Sequence, residues 1–122
     1  MAMFGTATVR LRRRGEACIV EVRGEADLAG APAVRDALAR AVDEGTGPVI
    51  VDLGPSTLIS SAVMATLLNA LRRLTRLRRP MVVVGSRDVE RIFRLARLDD
   101  TFKLCPDVES ALRRCGNSSV AA

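Results

Sequence analysis

Histidine is absent from this 122-residue chain, and so are tryptophan and tyrosine. The missing histidine removes the commonest general base and the commonest zinc ligand. Cys18, Cys105 and Cys115 are the three cysteines. They stand far apart with no CxxC spacing, so they outline no zinc finger and no thioredoxin-like motif. Cys18, within "ACIVEV", reads as a small buried hydrophobe. Only three phenylalanines represent the aromatics. The core must therefore be built from Leu, Val, Ile and Ala, and there is no platform on which nucleic-acid bases would stack. No apolar run approaches the ~20 residues of a membrane-spanning helix. In the opening "MAMFGTATVRLRRRG" the basic cluster follows the apolar residues, the reverse of a signal peptide. A cytoplasmic protein is expected. The phosphate-cradling patterns GxxxxGKS/T and GxGxxG are missing, as is the GxSxG nucleophile elbow. With no histidine to activate a serine, the expectation is a non-enzyme with no catalytic residue, no metal and no cofactor.

What is abundant is arginine. The formal net charge is +5, and all the basic residues except Lys103 are arginines. Two clusters stand out, "RLRRR" at Arg10 to Arg14 and "RRLTRLRR" at Arg72 to Arg79. Fourteen carboxylates lie among the cations, and no helix-turn-helix or zinc-finger spacing accompanies them. They are expected to be solvated faces, with no direct nucleic-acid contact and no membrane contact.

Hydrophobic periodicity orders the rest. "TVRL" and "ACIVEV" carry β-branched residues on either side of a turn near Gly15, which predicts a hairpin. "GEADLAGAP" breaks that pattern. From Pro32 the period changes: Val34, Ala37, Leu38, Ala41 and Val42 fall on one helical face, with Gly30 as N-cap and an end near Gly45. "VIVDL", Val49 to Leu53, is a continuous apolar run and predicts a strand buried on both faces. Val63, Met64, Leu67, Leu68, Leu71 and Leu74 then mark a helix running to about Leu77. A second buried strand over Arg79 to Gly85 follows, then a helix over Asp88 to Arg97. "TFKLC" is read as a last strand, and Asp107 caps a final helix. The order β-β-α-β-α-β-α-β-α with short connections implies an α/β fold with mostly parallel strands and right-handed crossovers. One domain is expected over 7–115, with tails at 1–6 and 116–122, and a monomer is the expected state, a dimer through the exposed hairpin edge being the alternative.

One junction carries a possible function. In "STLISSAVMATLLNALRR" the pair Ser60 and Ser61 stands where a short apolar run turns into the long helix. Ser60 as N-cap, bonding the N–H of Val63, is the structural reading. Phosphorylation is the functional one. A phosphoserine in the first turn brings roughly −1.5 to −2 charges against unpaired N–H groups and the positive end of the helix dipole. The fold would tolerate it while the surface changed.

These residues resemble a known family. "VDLGPSTLISSAVMATLLNALRR" is similar to the central segment of STAS domains, the anti-sigma-factor antagonists, and places Asp52, Leu53, Ile59, Ser61, Leu67, Leu68, Ala70 and Leu71 on family positions. "GEADLAGAPAVRDAL" resembles the family's earlier motif through Gly24, Glu25, Asp27, Leu28 and Pro32. The resemblance continues through "MVVVGSRDVERIFRLARLDDTFKLCPDVESAL" and covers about residues 7 to 112. It implies the STAS fold, a mixed, mostly parallel sheet with an N-terminal hairpin and about four helices packed mainly on one face. It also implies a regulatory partner, an anti-sigma factor that is often a serine kinase. The surface implied for that partner comprises Asp27, Leu28, Ser60, Ser61, Val63 and Met64. Ser61 is the phosphoacceptor candidate and Ser60 the second choice. The sequence departs from the family where an Asp would precede the acceptor, since Ser60 stands there, and where Val63 replaces a glycine. The alternative is a STAS subunit of a larger assembly, such as a lipid-transport ATPase or a stress-signalling complex, without phosphoswitching.

Overall fold

The computed structural model describes residues 7–121, with side chains described through residue 116. The expected tail at 1–6 lies outside the described residues. The chain runs β1 (Thr8–Arg14), β2 (Ala17–Ala26), a 3-10 turn (Leu28–Gly30), α1 (Ala31–Glu44), β3 (Val49–Asp52) and β4 (Ser56–Ile59). It continues with α2 (Ser61–Arg76), β5 (Met81–Val84), α3 (Arg87–Leu95), β6 (Lys103–Cys105) and α4 (Val108–Ala121). The last helix continues past Cys115 into the segment that composition assigns to a tail.

The hairpin forms where expected. Arg14 pairs with Ala17 across the two-residue turn Gly15–Glu16. Gly15 adopts φ +61°, the sign that the first position of a type II′ hairpin turn needs and glycine supplies without strain. From β2 the sheet grows in the order β1-β2-β3-β5-β6, antiparallel only between β1 and β2.

Alternation along the central strands explains why their sequences are continuously apolar. Val20, Val22, Val49, Val51, Met81 and Val83 face one core, where α1, α2 and α3 supply Val34, Leu38, Val63, Leu67, Leu74, Val89 and Phe93. Their neighbours Ile19, Ile50, Val82 and Val84 face the other side, where α4 covers them with Ala111 and Cys115. Three helices on one face and one on the other is the mixed arrangement expected. All three cysteines are buried.

Helix ends follow the capping residues. Pro32 sits in the first turn of α1 behind Gly30 as N-cap, and Gly45 ends that helix. Arg79 then locks the C-terminus of α1 in place. Its guanidinium donates to the carbonyls of Val42 and Gly47, each at 2.8 Å, and of Ala41 at 3.2 Å. Asp107 accepts from the Ser110 N–H at 2.7 Å at the start of α4, and that bond holds its carboxyl below the usual range.

One strand was not expected. Ser56–Ile59, read only as a short apolar run before the long helix, is β4, which pairs with the far half of β2 through Gly24↔Ser56, Glu25↔Leu58 and Ala26↔Ile59. A run of only four residues, two of them hydroxylated, carries too little pattern to announce a strand. It is made by tertiary partners: the Gly24 N–H reaches the Pro55 carbonyl at 3.1 Å, and the Ser56 hydroxyl donates to the Val22 carbonyl at 2.7 Å.

Candidate functional site at the start of α2

β4 delivers the chain to Ser60, and its pairing sets the geometry of the site. The Ser60 N–H donates to the Ala26 carbonyl at 2.8 Å, so Ser60 lies one residue away from Asp27 across the strand pair. Asp27 closes the 3-10 turn, its Oδ1 accepting from the Gly30 N–H at 3.0 Å. That turn packs against α2 and exposes Leu28, 74% accessible. Two segments more than thirty residues apart in sequence thus share one surface.

The two serines have different tasks. Ser60 is the N-cap in extended conformation, and its Oγ accepts from the Val63 N–H at 3.2 Å. Its carbonyl accepts from Met64 at 3.0 Å. Ser61 is the first residue of the helix, is exposed, and its hydroxyl has no hydrogen-bond partner among the described residues. No acidic residue occupies the first turn of α2. The free hydroxyl therefore sits at the positive end of a sixteen-residue helix with no carboxylate on that turn to oppose an added anion.

Of the six residues expected on the partner surface, the structure brings Asp27, Leu28, Ser60 and Ser61 together. Val63 and Met64 are corrected to core positions, at 0% and 7% accessibility. The helix turns by about 100° per residue, which carries these two side chains inward under the turn that Ser61 tops. Leu58 was missed and is partly exposed on β4, three residues before Ser61. Only the strand assignment could have flagged it. Asp52, at the end of β3, is engaged in the local turn, accepting from the Gly54 N–H at 2.9 Å.

Among the described residues no group of three His, Cys, Asp or Glu side chains is placed to hold a metal ion, and no helix is long and apolar enough to cross a membrane.

Comparison with known proteins adds the relatives of this geometry. No curated protein matches in sequence. Among solved structures, an anti-sigma factor antagonist from Mycobacterium paratuberculosis superposes with a TM-score of 0.82 at 26% identity, covering 90% of this chain and 94% of that one. A putative anti-sigma factor antagonist from Thermotoga maritima gives 0.77 at 16% identity, covering 88% and 93%. The Bacillus cell fate determinant SpoIIAA in its phosphorylated form gives 0.68 at 16% identity, covering 88% and 98%. The family model for the STAS domain matches residues 8–111, nearly the whole chain. By that match and by its mixed sheet with the helix pattern described, this chain belongs to the STAS domain family.

Proposed function

We propose that this chain is an anti-sigma-factor antagonist. It binds an anti-sigma factor of the serine-kinase type through the surface around Asp27, Leu28 and Ser61, which frees a sigma factor for transcription. Phosphorylation of Ser61 ends the association. The likeness to the mycobacterial antagonist, at 26% identity over nearly all of both chains, supports the partner class.

The observation that carries the switch is the division of labour between the serines. Ser60 holds the helix start, which leaves the Ser61 hydroxyl exposed and chemically idle. In the reaction the γ-phosphoryl group of ATP passes to Ser61 Oγ, the hydroxyl proton leaves to solvent, and ADP departs. The dianion produced is compatible with the fold because the helix dipole favours it. It is incompatible with a partner that covers Leu28, since burying it there would require desolvating a double charge beside the Asp27 carboxylate.

The test is tandem mass spectrometry after incubation with candidate anti-sigma kinases and ATP. Phosphate is expected on Ser61 in the native chain and in Ser60→Ala, and on neither serine in Ser61→Ala. A kinase that binds tightly yet leaves Ser61 unmodified overturns the switch. Association only with a multi-subunit transporter or stress complex would favour the subunit reading instead.

A further inference from the structure

The end of the molecule away from Ser61 has its own chemistry. In each parallel βαβ unit the helix runs back against the strands, so the C-termini of α2 and α3 lie at the end where β5 and β6 begin. From Ser61 to Arg76 the helix rises roughly 22 Å. At that far end Thr75, Arg78, Pro80, Met81, Thr101 and Lys103 line one groove, and Arg72, Arg76 and Thr101 line its continuation. The "RRLTRLRR" cluster and the segment leading into β6 therefore form a single surface.

Its charge is not internally balanced. Arg72, Arg76, Arg78, Arg97 and Lys103 are exposed and make no ion pair among the described residues. The carboxylates at this end are Asp43 and Glu44, already paired with Arg73 and Arg40, and Asp99 and Asp100, on the same loop as Arg97. Arg73 is already paired with Asp43 at 2.7 Å, and the Arg79 guanidinium is spent on backbone carbonyls. Amid these cations stand two exposed leucines, Leu77 at 54% and Leu95 at 74% accessibility. Each closes a helix between flanking arginines: Arg76 and Arg78 around Leu77, and Arg94 and Arg97 around Leu95.

We propose that this end docks on an anionic phospholipid surface, with Leu77 and Leu95 entering the headgroup layer and the arginines and Lys103 meeting lipid phosphates and carboxylates. A polyanion without an apolar layer, such as a nucleic acid, would engage the cations and leave both leucines in water, and the chain offers no aromatic stacking platform among these residues. The arginine clusters were expected to be solvated faces without membrane contact, but attachment to a surface needs only basic charge and a few inserted apolar side chains. Docked this way, the molecule would point Ser61 outward, so lipid and protein partner would occupy opposite ends.

Flotation with vesicles of 70:30 phosphatidylcholine and phosphatidylserine tests the idea on the full chain, with pure phosphatidylcholine vesicles and a short DNA duplex as comparisons. Binding to the mixed vesicles is expected at low salt, lost at high salt and absent from pure phosphatidylcholine. Arg76→Gln and Arg78→Gln should each weaken partitioning about fivefold. Leu77→Ser with Leu95→Ser should weaken it by a similar or larger factor without changing the thermal midpoint. No binding at low salt overturns the proposal. So does vesicle binding that ignores the leucines, or tighter binding to the duplex than to the vesicles. None of these outcomes bears on phosphorylation of Ser61, which is read separately.

Discussion

At the scale of single residues, Ser60 and Ser61 differ by what their oxygens touch. Ser60→Ala removes an N-cap bond to Val63 and should cost about 1 kcal/mol. Ser61→Ala removes an exposed hydroxyl without a partner and should stay within about 0.5 kcal/mol. Urea denaturation of the two variants measures both, and equal losses would deny Ser60 its special role at the cap. The family resemblance placed an Asp where Ser60 stands. Ser and Asp are both good N-caps, so the substitution keeps the helix start while removing a negative charge beside the acceptor.

At the scale of elements, α3 shows how a short, largely polar helix is held. Val89 and Phe93 are its buried residues, and the Phe93 ring meets Phe102 edge to face with centroids 5.3 Å apart. Phe93→Ala deletes the largest fully buried side chain among the described residues and one half of that aromatic pair. A loss of about 3–5 kcal/mol is expected in equilibrium unfolding. The helices and central strands were legible because burial repeats at 3.6 or covers both faces, and Gly30, Ser60 and Asp107 announced their caps. The strand β4 was not legible, since its identity comes from the Ala26, Val22 and Gly24 backbone groups it meets. That omission mattered most for the site, because β4 is what seats Ser60 beside Asp27. Placing Val63 and Met64 on the surface was the matching error. The resemblance suggested it, and helical rotation turns both inward.

At the scale of the whole molecule, two cores on opposite faces of one sheet enclose the three cysteines. Burial pushes the thiol pKa of Cys18 and Cys115 above the ordinary value, so little thiolate exists at neutral pH. Alkylation of these two thiols in the native chain should therefore be slow and should accelerate together with global unfolding as urea is added, read by mass shift. Fast labelling of native Cys18 or Cys115 would show that its face opens locally. The two ends of α2 differ in charge as well, with Arg72, Arg76 and Arg78 exposed and in no ion pair among the described residues near its C-terminus and Asp27 near its N-terminus. Neither the clusters in the sequence nor the net charge of +5 told which end they would occupy.

The sequence alone determined the alternating strands and helices, the STAS family pattern, the helix caps and the serine pair. These are local matters, settled by periodicity and by side chains that bond within three residues of themselves. Only the tertiary structure decided that residues 56–59 are a strand, that Ser60 bonds the backbone just before Asp27, that Val63 and Met64 are core, and that Leu77 and Leu95 stand exposed among arginines at the far end. Each of those depends on which backbone groups and faces distant segments present to one another, and no short window of the chain contains both partners.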